Sequence, residues 1–327
     1  MRHKKLRHKI HHHVVRNAAF FLFVSVFAGV YLLSNSVRND VPEIVYIKAT
    51  DDTTILNELE NRGFIKNRLT YWFVAAMSRF DEKIESGGYV LSKNATALAL
   101  YNELKNPTHR YVAIAEGLRK EEVAEKYGRA LGWNETKIAE FQKTPNACMY
   151  SGREGRLYPG EYLVSKNASI QKIQDEMERN FANAFSSIIT NDSEKMLDED
   201  QIVIVASLIQ REAAGAHDMR LISGIIWNRI FAGMPLQLDA TLQYVKGDDG
   251  KWWPQVKSED KYIDSPFNTY QNEGLPPAPI ANPGKAALDA AANPVKTDCL
   301  FYLHDRNRTI HCSPTYEGHL LNIKNYL

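Results

Sequence analysis

From Gln201 to Gly215 the chain reads QIVIVASLIQREAAG, apolar almost all the way round a helix. A surface helix carries one apolar stripe, whereas a helix that is apolar on nearly every side belongs inside a core. One carboxyl group rides on it. On a wheel of ~100° per residue, Glu212 falls close to Val205 and Leu208, while Val203 and Gln210 point roughly the other way. Burial disfavours the charged form of a carboxyl, the condition for a general acid near neutral pH. The plainer alternative is that the helix ends at Glu212 and its side chain reaches water through the Gly215 turn. The wheel alone leaves both open.

Working outward, residues 217–232 predict a second helix with Leu221, Ile222, Ile225, Ile226 and Ile230 along one side, ended by Gly233 and Pro235. Arg229 shares the face of Ile222 and suits either a structural carboxylate or a substrate. Beyond it, LQLDATLQY (236–244) offers Gln237, Asp239, Thr241 and Tyr244, and Trp252 and Trp253 follow. SPFNTYQNEGLPPAPIANPG (265–284) adds Asn268 and Tyr270 in a Pro-rich loop. Hydroxyl-rich ligands need fixed polar groups and aromatic faces, and stiff loops supply both at little ordering cost. Taken singly, each of these residues is better read as a turn former or cap. Pro283 is expected in the first turn of a helix that runs to Asn293. A hairpin near 300–312 and a helix near 316–324 close the chain.

Toward the N-terminus the chain changes character. Six Lys or Arg and no acid lie between Met1 and Arg16, followed by AAFFLFVSVFAGVYLL at 18–33. Such a run spans ~24 Å as a helix, a little short of a ~30 Å hydrocarbon core, and Val14 and Val15 extend it if Arg16 snorkels. No small-x-small cleavage site follows Leu33. We therefore expect a basic tail at 1–16 on the cytoplasmic side, an uncleaved transmembrane signal anchor at 17–34, and everything later outside the cytoplasm. His11, His12 and His13 sit in the tail without other ligand types, so a metal site is not expected.

The exported part begins with small β-α units. A strand-like segment at 44–48, capping candidates Asp51 and Asp52, a helical run and Gly63 are echoed about 65 residues later by a strand at 111–115, a helical run and Gly132. A polar stretch at 143–156 marks the passage to a second domain. The fold class is α+β.

Bulk composition excludes more than it selects. A net charge of +1, with 44% hydrophobic and 24% charged residues, describes an ordinary globular protein with no drive toward nucleic acid. Three cysteines are too few for a disulfide scaffold and lack metal-ligand spacing. Cys299 and Cys312 flank the expected hairpin and could meet across it, but two unpaired thiols are the plainer expectation, because bridging depends on strand register.

The blocks ASLIQRE (206–212), NRIFAGMPLQLDATLQY (228–244), SPFNTYQNEGLPPAPIANPG, the Asn293-Pro294 helix end and TYEGHLLNIKNYL (315–327) are ordered and spaced in a specific way. By them the chain resembles the YceG-like family, the MltG-type endolytic murein transglycosylases, over nearly its whole length. The resemblance implies that the β-α units at 44–142 are LysM-like modules and that 150–327 is a YceG-like catalytic domain of mixed α+β structure. It implies that Glu212 is the catalytic acid/base, and the loop residues Gln237, Asp239, Thr241, Tyr244, Asn268 and Tyr270, read above from composition, are those expected at the substrate. It places the enzyme at the cell inner membrane, single-pass, with the catalytic domain periplasmic. The substrate would be peptidoglycan glycan strands, nascent ones among them, the partners peptidoglycan synthases of the elongation or division machinery, and no metal or organic cofactor is called for.

Departures from the family pattern are few. Gln210 stands where many relatives carry Glu, Phe267 replaces a usual Tyr, Ala278 replaces a usual Gly, and RLYPGE (156–161) is looser than the usual EGxLFPDTY. The implied reaction needs one carboxyl: it protonates the leaving oxygen, then accepts a proton from the sugar's own C6 hydroxyl as a 1,6-anhydro ring closes. Two other readings remain, a hydrolytic muramidase using Glu212 and Asp239 together, and a non-catalytic peptidoglycan-binding scaffold.

Overall fold

The computed structural model describes residues 41–48, 51–77, 84–143, 154–188 and 198–327, and the chain divides into two compact units between Tyr111 and Val112. The apolar run at 17–34 lies outside the described residues. Among those described, no helix is long and apolar enough to cross a membrane.

In the first unit, β1 (Glu43–Ile47) pairs antiparallel with β2 (Gly87–Leu91), Glu43 opposite Leu91 and Ile47 opposite Gly87. Gly88 faces His109, the first residue of β3 (His109–Ile114). Alternation along β1 turns Val45 and Ile47 into the core. Helix α1 (Asp52–Asn61) starts where the Asp51 carboxylate accepts the Thr54 N–H, the capping role expected of this pair of acids. It buries Ile55, Leu56 and Leu59, and α2 (Arg68–Met77) and α3 (Ala97–Glu103) add Tyr71, Leu100 and Tyr101 to the same core.

The second unit is also mixed α+β and has two hydrophobic cores. One gathers Val112 and Ile114 of β3, Val123 and Tyr127 of α4 (Lys120–Leu131), Phe141 of α5 (Glu135–Gln142), Tyr162 of β4 (Gly160–Ser165) and Met177 of α6 (Ile170–Ser186). The sequence pattern groups the β3–α4 segment with the first β-α unit, yet its buried side chains share a core with β4 and α6.

The other core surrounds α7 (Glu199–Glu212), whose start is held by a capping box between Asp198 and Gln201. Every residue from Ile202 to Ile209 is buried, as a helix apolar all round requires. Burying each of these aliphatic side chains is worth roughly 1.5–3 kcal/mol as an upper bound. Helices α8 (Met219–Phe231) and α10 (Lys285–Ala292) pack on α7, with α9 (Asp239–Lys246) beside it. The small side chains of Ala287, Ala290 and Ala291 let α10 lie close. Pro283 is not in the first turn of α10. Gly284 is the N-cap, in extended backbone, and its N–H donates to Gln210 Oε1 at 2.9 Å. Gln210, on the opposite side from Glu212, thus secures the neighbouring helix.

A hairpin of β5 (Phe301–His304) and β6 (Ile310–Ser313) sets Tyr302 opposite Cys312 and His304 opposite Ile310. The expectation of two free thiols is corrected: Cys299 and Cys312 form a disulfide with their Cα atoms 5.8 Å apart. The hairpin register brings them within bridging distance, which composition could not reveal. Helix α11 (Tyr316–Tyr326) follows, with its His319 ring stacked on Phe301.

Candidate active site

Helix α7 ends at Glu212 because Ala213 turns to extended backbone, ψ 140°. The side chain does not escape to water through the turn that follows. Its Oε2 accepts from the Tyr302 hydroxyl at 3.0 Å, and its Oε1 faces the Ala240 N–H at 3.4 Å, in the first turn of α9. Burial pushes the Glu212 carboxyl above its ordinary range, and the nearby charge of Asp239 pushes the same way. The Tyr302 hydroxyl, the Ala240 N–H and His304 oppose the shift without cancelling it. The result is a carboxyl biased toward its protonated form.

Glu212 opens onto a cavity of about 500 Å³ lined by Arg229, Leu236, Gln237, Leu238, Asp239, Lys261, Tyr270, Phe301, Tyr302, Tyr316 and His319. Of the residues singled out from sequence, Gln237, Asp239 and Tyr270 stand in this wall with Glu212. Asp239 accepts from the Tyr270 hydroxyl at 2.7 Å. Burial and that bond raise the Tyr270 phenol above its ordinary range. Gln237 holds φ +53°, a left-handed conformation that costs a non-glycine residue ~1 kcal/mol or more. Its N–H is fixed on the Thr269 carbonyl at 3.0 Å, so the loop that carries it is built for position rather than ease.

Three expected residues do not reach the cavity wall. Thr241 is fully buried and its hydroxyl donates to the Leu238 carbonyl at 2.7 Å. Asn268 is fully buried too, its amide donating to the Lys261 and Ile263 carbonyls and accepting from the Tyr270 N–H. Both brace the loops that present Asp239 and Tyr270. Tyr244 packs under the Arg119 guanidinium, 4.1 Å from its ring centroid, and tilts against Phe267. Trp252 and Trp253 are likewise not sugar platforms of this cavity. Their indole N–H groups donate to Glu125 and Glu122 of α4 at 2.8 and 2.9 Å, and Arg211 covers the Trp253 ring.

The hairpin expected near 300–312 is present, but the sequence did not mark its residues as part of the site. Tyr302 is the direct partner of Glu212. Two residues on, His304 Nε2 meets Asp218 Oδ2 at 2.7 Å. Asp218 is 1% exposed and also accepts the Ala214 and Gly215 N–H groups at 3.0 and 3.2 Å, while Arg308 donates to the Ala214 carbonyl. The turn just after Glu212 is therefore tied to the strand that carries Tyr302. Asp218 stands at the N-cap of α8, which starts at Met219 rather than at His217, but its side chain serves the turn and makes no cap bond. Arg229, for which a structural carboxylate and the substrate were equally open, clamps no carboxylate among the described residues: it lines the cavity and donates to the carbonyls of Leu300, Pro235 and Leu236 at 2.6, 3.2 and 2.7 Å.

The arrangement can donate a proton into a polar, aromatic-walled cavity and take one back. Among the described residues no three His, Cys, Asp or Glu converge as metal ligands.

The model of the YceG-like family matches residues 45–325. A protein of Streptococcus pneumoniae named endolytic murein transglycosylase is 27% identical over 286 residues, 76% of this chain and 51% of that protein. One of the same name from Bacillus subtilis is 34% identical over 167 residues, 51% of this chain and 46% of its own length. The chain thus spans about half the length of the curated relatives it matches. A crystal structure of a yceG-like protein of Listeria monocytogenes superposes with a TM-score of 0.57 at 24% identity, covering 86% of this chain and 99% of the other, which is a likeness of fold.

Proposed function

The chain belongs to the YceG-like family, and from that premise we propose that it is a peptidoglycan lytic transglycosylase whose acid/base is Glu212. The observation that carries the proposal is the Glu212 carboxyl itself. It sits at the end of a buried helix, is held by Tyr302 and the Ala240 N–H, and opens onto the cavity. The relatives' printed name, endolytic murein transglycosylase, supports the substrate class.

In the proposed reaction, protonated Glu212 gives its proton to the β-1,4 glycosidic oxygen as the bond to C1 of N-acetylmuramic acid breaks. Positive charge develops at that carbon. The Glu212 carboxylate then takes the proton of the same sugar's C6 hydroxyl, whose oxygen closes onto C1 as the 1,6-anhydro ring. Acid and base are one group, so no second proton carrier is needed. Internal attack has an effective molarity of ~10⁵ M or more, enough to outrun unassisted water. Gln237, Asp239 and Tyr270 position the sugars, Tyr302 holds the carboxyl, and the LysM-like region of the resemblance, residues 44–142, engages the glycan.

The chain is proposed to act outside the cytoplasm, anchored in the inner membrane through residues 17–34, on strands delivered by peptidoglycan synthases. The Cys299–Cys312 disulfide supports an oxidising compartment. A hydrolytic muramidase is the second reading, favoured by one observation, the Asp239 carboxylate in the same cavity.

Mass spectrometry of products from purified sacculi, beside Glu212→Gln, tests this. Wild type should release anhydro ends, and the variant should lose ~10²–10⁴ in rate while keeping its fold and glycan binding. If the variant retained more than about a tenth of wild-type turnover, another group would have to be the acid.

A further inference from the structure

Two cations, Arg229 and Lys261, line the cavity, and among the described residues neither forms an ion pair. Arg229 is 8% exposed, and its bonded nitrogens Nε and Nη1 reach only carbonyl oxygens, with no hydrogen bond from Nη2. Among the described residues no carboxylate pairs with it or with Lys261, whose ammonium lies 4.9 Å from the Tyr270 ring centroid. Tyr270 joins the two, because the Arg229 charge also acts on its hydroxyl. On the same side His319 stacks on Phe301, and its buried Nδ1 has no hydrogen-bond partner.

The charge balance of this wall is unusual. With Glu212 protonated, as a general acid must be, Asp239 is the one acid of the lining left charged, and Tyr270 already donates to it. A mostly buried guanidinium served only by neutral acceptors is an incomplete arrangement, since removing a cation from water is costly unless an anion answers it. Arg229 keeps one arm of its planar fork unbonded, Nη2, whose N–H groups can meet a carboxylate oxygen.

We propose that Arg229 and Lys261 form a carboxylate subsite that takes an acidic substituent borne by the muramic sugar beside the scissile bond. The inference rests on the proposed glycan-cleaving function and names what that site recognises besides the sugar rings. Two sources offer this chemistry: the lactyl carboxylate of a strand stripped of peptide, and the free carboxylates of an attached stem peptide.

The test is binding, separate from turnover. Full chain carrying Glu212→Gln is titrated with labelled strands, either amidase-stripped or peptide-bearing, each before and after methyl esterification of its carboxylates. Esterification should raise Kd about tenfold, the usual loss for a charge-assisted hydrogen bond. Lys261→Gln should erase most of that difference, and so should Arg229→Lys, which keeps the charge but loses the fork. A purely structural role for Arg229 would lower thermal stability without touching the esterification effect. Sensitivity confined to stripped strands identifies the lactyl group, and sensitivity confined to peptide-bearing strands identifies the stem peptide. Equal Kd before and after esterification for both strand types overturns the subsite. Failure of wild type to cleave any strand would sink the transglycosylase reading and leaves the binding result to be judged alone.

Discussion

The Tyr302 hydroxyl donates to Glu212 Oε2 at 3.0 Å, so a hairpin residue 90 positions downstream holds the carboxyl at the end of the central helix. That bond favours the carboxylate, whereas burial and Asp239 favour the acid, and burial is the strongest of these influences.

Tyr302→Phe should therefore raise the Glu212 pKa further. A general acid works in its protonated form, so kcat/KM falls as pH climbs through that pKa. Without the phenol the alkaline limb should move to higher pH. Asp239→Asn removes a neighbouring negative charge and should move the same limb to lower pH. Profiles of kcat/KM for both variants check the sign, and a shift of both in one direction would break the electrostatic account.

The Cys299–Cys312 bridge closes a loop of sequence separation 13 around the hairpin that presents Tyr302. Constraining a loop of this size in the unfolded chain is worth about 3 kcal/mol. Cys312→Ser should lower the unfolding midpoint accordingly. Because Tyr302 sits opposite Cys312, it should also lower activity at temperatures where the protein is still folded. Denaturant titration with a parallel rate assay separates the two effects.

Asp218 contributes a pH-dependent share of stability. Burial pushes its carboxyl up, but His304 and the Ala214 and Gly215 N–H groups outweigh burial and hold it below its ordinary value. A depressed folded-state pKa adds stability that is fully present above the unfolded value of about 3.9 and is lost as pH falls through the folded value. Asp218→Asn should cost about 2 kcal/mol at neutral pH. Wild type and variant should converge in acid. Urea unfolding at pH 7 and below pH 3 measures both; an undiminished gap in acid would contradict the linkage.

How far sequence reached into this site follows from what each signal encodes. Periodicity in residues 201–215 carries burial, so α7 could be read directly, whereas the wheel left the direction of the Glu212 carboxyl open and only the family resemblance singled it out. A polar residue type carries no direction. Thr241 and Asn268 look like ligand-binding groups in a string of letters, yet their hydrogen bonds go to backbone carbonyls of the loops they brace. Trp252 and Trp253 were ambiguous for the same reason, because an aromatic face suits a sugar and a neighbouring helix equally. Tyr302 and the disulfide depend on hairpin register, and register appears only once strands pair.

Asp239 decides between ring closure and hydrolysis. Its carboxylate already accepts the Tyr270 hydroxyl at 2.7 Å, which ties it to the cavity wall as a positioning group. If the attacking hydroxyl belongs to the substrate, no water-activating base is required, and Asp239→Asn should give a slower enzyme whose products keep their anhydro ends. If water attacks, a second carboxylate must hold it or act as nucleophile, and removing that group should be as damaging as Glu212→Gln. Products of the two routes differ by one water in mass. Reducing muramic ends from wild type, together with an inactive Asp239→Asn, would make this protein a two-carboxylate muramidase. Anhydro ends from both wild type and Asp239→Asn would leave Glu212 to carry the proton in each direction.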